Sequence, residues 1–99
     1  MTRLLALLLA GLSIMCSARA ERATERYAAA QLRVAQAMLE RAREAAALGE
    51  TGRAGMLAWQ ADLDARLAWG MTDSPALRDE AAEIGGEARA LITGLAARQ

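Results

Sequence analysis

Few side chains in this sequence are equipped for chemistry, and most of those that are stand in the run Trp59-Gln60-Ala61-Asp62-Leu63-Asp64, with Trp69 following. Paired carboxylates can act as general acid and base or hold a cation. Asp62 and Asp64 are two residues apart, so on a helix they point roughly 160° away from each other and do not share a small site. Asp62 is placed to pair with Arg66 one turn on, a solvated contact worth tenths of a kcal/mol. Asp64 shares a narrow polar strip with Gln60 and Arg53, where it is expected to meet an arginine or an orphan backbone group. Trp59 and Trp69 are large enough to stack on a ligand, but at helical positions beside Leu63 and Leu67 they read as core or interface anchors. Trp69, at the end of its helix, is expected to be the more exposed of the two and to meet a partner.

The rest of the chain supplies little to work with those groups. It has no histidine and no lysine, and its one cysteine is Cys16. Ser74 precedes Pro75 in a helix-start pattern and is better explained as a cap than as a nucleophile. No glycine-rich phosphate loop and no metal-ligand spacing is present. The expectation is a protein that is not an enzyme and that carries no cofactor and no metal.

The elements that must position these residues are helical. Ala28, Leu32, Ala35, Leu39, Ala42, Ala46 and Gly49 recur at steps of four and three, the seam of an amphipathic, coiled-coil-like helix seeking helical partners. Tyr27, Val34, Met38 and Leu48 widen that stripe toward bundle packing. Gly49-Glu50-Thr51-Gly52 breaks it, with Gly49 suited to a left-handed cap and Thr51 to capping the next helix. In the second arm Met56, Trp59, Leu63 and Leu67 form one apolar face, and Leu57, Ala61, Ala65 and Ala68 another. A helix with two apolar faces is expected to lie between two neighbours. After Asp73-Ser74-Pro75, a third helix carries Leu77, Ala81, Ile84, Ala88, Leu91 and Leu95. Gly85-Gly86 in its middle is read as a close helix approach or a mild kink. Gly94 marks expected fraying before the terminus.

Residues 1–20 have the form of a secretory signal peptide: Arg3, an apolar stretch from Leu4 to about Cys16, and the small-x-small triplet Ala18-Arg19-Ala20. Cleavage is expected after Ala20. The apolar run is shorter than the ~20 residues that span a bilayer, which disfavours a retained anchor. Cys16 raises an acylated lipoprotein as an alternative, although Met15 is bulkier than the Gly, Ala or Ser in which such cleavage sites resemble one another. The alternative function is therefore a membrane-tethered accessory factor, held by a retained signal anchor or by acylated Cys16.

Of the 99 residues, about 79 then remain, without cysteine and so without a disulfide to support a small domain. The whole chain has 12 basic and 12 acidic residues, and loss of Arg3 and Arg19 leaves 10 against 12, a net charge of about −2. That balance argues against nucleic acid and against a polybasic membrane-surface role. All basic residues are arginine and alanine dominates, the composition of a helical protein from a GC-rich bacterium.

Tyr27-Ala28-Ala29-Ala30-Gln31-Leu32, then Ala35, Leu39, Ala42 and Ala46, the break, and Gln60-Ala61-Asp62-Leu63-Asp64-Ala65-Arg66-Leu67-Ala68 resemble the bacterial envelope family known as domain of unknown function 4398. The resemblance covers Tyr27 to about Trp69, with Asp64-Ala65-Arg66-Leu67-Ala68 its most specific segment. It implies a secreted or lipid-anchored helical module, in some relatives joined to peptidoglycan-binding domains resembling outer-membrane protein A, and it implies no catalytic residues. Glu50, Thr51 and Arg53 depart from the family's turn, and no peptidoglycan-binding domain is expected here.

Together these readings predict an all-α protein: a signal peptide over 1–20, then a single domain over 21–99. In it a helical hairpin extends to a small three-helix bundle, with helices at about 22–48, 53–69 and 75–96. The predicted function is a non-catalytic module in the periplasm of a Gram-negative bacterium, acting through alanine-lined helix faces and through Trp59, Leu63, Leu67 and Trp69. Its partner is another envelope protein or a second copy. A small-molecule binder using the tryptophans ranks last.

Overall fold

The computed structural model describes residues 2–98, with side chains described from Arg22 to Arg98. It comprises three α-helices in up-down-up order, α1 (Thr2–Ala47), α2 (Thr51–Met71) and α3 (Pro75–Ala97). The bundle is therefore all-α, as the periodicities predict. The expected signal peptide over residues 1–20, its cleavage site at Ala18 and Ala20, and Cys16 lie outside the residues whose side chains are described.

The first turn follows from Gly49, whose φ of 77° is open to a glycine without strain. Its N–H donates to the Ala46 carbonyl at 3.1 Å and that of Glu50 to the Ala45 carbonyl at 2.9 Å, which closes the last turn of α1 in a Schellman motif. Because Gly49 and Glu50 complete that motif, α2 begins at once: Glu50 occupies its N-cap without a side-chain cap bond. Thr51, expected to be the cap, is instead the first helical residue, and its hydroxyl lies 3.5 Å from the Gly49 carbonyl. The second turn behaves as expected, with Pro75 opening α3 and Ser74 Oγ accepting from the Leu77 N–H at 3.4 Å.

The hairpin buries Ala28, Leu32, Ala35, Leu39 and Ala42 of α1 against Ala54, Ala58, Ala61, Ala65 and Ala68 of α2. Ala81, Ile84, Ala88 and Leu95 of α3 close over the same side of α2. α2 thus lies between both neighbours, while α1 and α3 meet more sparingly. The seams of α1 and α3 are buried where the spacing places them, apart from exposed Gly49 and partly buried Ala46, Leu77 and Leu91.

Three expectations need correction. Tyr27, Val34 and Leu48 do not widen the buried stripe of α1: all three are exposed, and only Met38 packs against the core. The two apolar faces of α2 do not each take a neighbour. Both neighbours share the alanine side, because small side chains let two helices crowd onto one narrow face, and the Met56 side stays uncovered. Finally, α3 runs through Gly94 to Ala97 without fraying, because Leu95 is buried against Ala45 and Ala54.

Gly85 and Gly86 divide the reading made of them. α3 continues through both as an α-helix. Only Gly85 is at a close approach: a Cβ there would stand 3.2 Å from Asp62 Oδ1 and 3.2 Å from an Arg89 guanidinium nitrogen, whereas one at Gly86 would meet nothing within 4 Å. Gly86→Ala is therefore expected to stabilise the bundle by about 1 kcal/mol, the helix-propensity difference. Gly85→Ala is expected to forfeit that gain because the carboxylate has to give way. Paired denaturant melts check the ordering, which is reversed or lost if the Asp62 contact is unimportant.

Candidate interaction surface

Asp62 and Asp64 are held apart, as their spacing requires; Asp62 has its expected partner and a second one besides, while Asp64 departs from the expectation. Asp62 is buried at 6 % exposure and receives two arginines, Arg89 of α3 at 2.8 Å and Arg66 of its own helix at 3.2 Å. The pairing with Arg66 is present as expected, with the arginine 64 % exposed and only the carboxylate enclosed. The carboxylate is enclosed on the α3 side of α2, where the missing side chain of Gly85 admits it. Arg89 stands one helical turn beyond Gly85, on the same face, so α3 supplies the gap and the cation together. A mid-helix glycine followed four residues later by arginine is the signal that sequence reasoning passed over.

Asp64 meets neither an arginine nor an orphan backbone group. The α1–α2 register sets it opposite Gln31, whose Nε2 donates to Oδ1 at 3.0 Å, while Oδ2 is buried without a hydrogen-bond partner. Among the described residues no three His, Cys, Asp or Glu side chains gather where they could hold a metal ion. The carboxylates of α2 thus register helices against one another. Arg43 of α1 adds an exposed bridge of 2.7 Å to Glu87 of α3.

The two tryptophans serve different surfaces. Trp69 is 47 % exposed and lies beneath Arg78, whose guanidinium carbon is 4.2 Å from the ring centroid. Arg78 also donates to the Thr72 carbonyl at 2.8 Å and pairs with Asp73 at 3.5 Å, so one side chain of α3 braces the whole second turn. Trp69 is thereby part of that turn, and Trp59, at 60 % exposure, is the more accessible of the two, the reverse of the expected order. Nothing in the spacing of Arg78 announces its role.

Trp59 belongs to a row that points away from both neighbouring helices: Met56, Trp59, Leu63 and Leu67 are 74, 60, 40 and 57 % exposed. Their positions lie opposite Ala54, Ala58, Ala61 and Ala65 around the helix. The Gln31–Asp64 hydrogen bond continues this surface onto α1. Tyr27 and Val34 sit one turn either side of Gln31, and Gln60 and Leu67 one turn either side of Asp64, so both rows border the same seam. Tyr27 also edges a shallow groove lined by Ala23, Arg26 and Ala30. The largest contiguous apolar patch on a typical monomer is about 300–600 Å² and is often functional. At these exposures the outward row of α2 offers on the order of 450 Å², within that range.

Removing the enclosed carboxylate is expected to loosen the joint between α2 and α3. Asp62→Ala should cost about 1–2 kcal/mol of stability, a modest figure because Arg66 and Arg89 are half-exposed and can turn to water. Asp64→Ala should stay within about 0.5 kcal/mol, since one hydrogen bond is lost and one unsatisfied oxygen goes with it. Urea titrations of the two variants check this, and equal losses would show that the Asp62 cluster has no special weight.

Compared with known proteins, the chain matches no family model, no curated protein and no solved structure. No comparison therefore supports the resemblance to domain of unknown function 4398.

Proposed function

We propose that this protein is a non-catalytic interaction module of the bacterial envelope, exported to the periplasm of a Gram-negative bacterium, which works through the outward face of α2. The observation that carries the reading is the uncovered row Met56, Trp59, Leu63 and Leu67. In a chain with so few large apolar residues, spending four of them outside the core makes sense when another surface covers them. The alanine faces, expected to receive the partner, are occupied by the bundle's own helices, so the partner surface moves to the tryptophan-bearing side of α2. The signal-like residues 1–20 and the resemblance to the envelope family support an extracytoplasmic setting. Among the described residues no helix is long and apolar enough to cross a membrane.

Two measurements in the living cell test this reading. The intact mass of the exported protein is expected to show loss of residues 1–20; a retained leader or a lipid adduct on Cys16 would move the protein to the membrane. A photo-reactive amino acid in place of Trp59 is expected to give a discrete cross-linked product, and the same probe at exposed Glu83 of α3 to give none. Identical, diffuse labelling at both positions would remove the basis for the proposal.

A further inference from the structure

The outward row of α2 has a property beyond its exposure. Met56, Trp59, Leu63, Leu67 and Gly70 follow one another at steps of three, four, four and three. That series reads the same in both directions, with Leu63 at its centre. Two copies of α2 laid antiparallel about a two-fold axis through Leu63 therefore bring the row onto itself in register. Leu63 meets Leu63 of the partner subunit, Trp59 meets the partner's Leu67, and Met56 meets the partner's Gly70. The sizes complement one another, since the longest flexible side chain faces a glycine around which a Cβ would meet nothing within 4 Å.

Resting on the reading of this face as an interaction surface, we propose that its occupant is a second copy of the chain, paired α2 to α2 in this antiparallel register. No charged residue stands in the row, so two copies bring no like charges together at its centre. Arg66 and Trp59 lie on one edge of the row, and in this pairing Arg66 comes alongside the partner's Trp59. There a guanidinium can cover an indole as Arg78 covers Trp69 within one chain. At the stated exposures the four large side chains offer on the order of 450 Å². Tyr27 and Val34 along the same border raise this to roughly 700 Å², close to the about 800 Å² per partner of a stable interface. A single α2 row alone is too small for a tight dimer, so the α1 border belongs to the interface.

The test uses the purified exported chain, which without residues 1–20 carries no cysteine of its own. Light scattering is expected to give the mass of two chains, falling to one for Leu63→Asp with the helical circular dichroism unchanged. The dissociation constant of that variant should rise on the order of 100-fold, because carboxylates meet across the axis. Under mild oxidation Leu63→Cys alone should form a disulfide-linked dimer, and Met56→Cys should link to Gly70→Cys only when the two are mixed, while Glu83→Cys should link to nothing. A one-chain mass up to about 100 μM, or a dimer indifferent to Leu63→Asp, overturns the proposal. In that event a Trp59 photo-adduct of a different mass leaves the interaction reading standing with another protein as occupant, and the absence of any adduct removes both.

Discussion

The bundle depends on one constraint: α2 packs against two helices through a face made almost wholly of methyl groups. Ala54, Ala58, Ala61, Ala65 and Ala68 are buried to the last few square ångströms, and larger side chains reach the centre only from outside, as Leu32 and Leu39 from α1 and Ile84 from α3. Small side chains bring helix backbones close, and close backbones leave no room for anything larger. Each buried alanine contributes little apolar area, on the order of one methyl group's transfer energy of about 0.8 kcal/mol. The fold is thus closely packed and thinly stabilised at once.

Two consequences run through the structure. Polar groups take on positioning work that a thicker core would do by bulk alone. The Arg89–Asp62–Arg66 cluster ties α3 to α2, the Gln31–Asp64 hydrogen bond sets the register of α1 on α2, and Arg78 braces the second turn against Trp69. Bulky apolar residues of α2 itself, in turn, find no place on the alanine face. Met56, Trp59, Leu63 and Leu67 are excluded by the geometry that the alanines create, and they collect on the opposite side of the helix. The exposed face and the alanine core are therefore two sides of one packing solution, and a partner that covers the face would add the apolar burial that the single chain lacks.

Much of this was legible in the residues. The steps of four and three in α1 and α3, the left-handed requirement at Gly49, and the Ser74-Pro75 helix start are local signals, each set by backbone geometry within a few residues. They determine three helices, two turns and the buried side of α1 and α3. The composition likewise determines that no histidine, the side chain whose ordinary titration lies near neutral pH, stands in the sequence.

The tertiary structure alone decided which of two apolar faces of α2 is buried. Both satisfy the helical period, and the choice turns on how closely three backbones can approach, a property of all three helices together. The fate of the charged residues was settled the same way. Asp62 and Asp64 sit two positions apart with identical side chains, yet one is enclosed by two arginines and the other by a glutamine, because α3 places Gly85 and Arg89 at the first and α1 places Gln31 at the second. Such partners lie tens of residues away along the chain. Periodicity within a helix determines which side chains share its faces, and only the packing of one helix on another determines what each face meets.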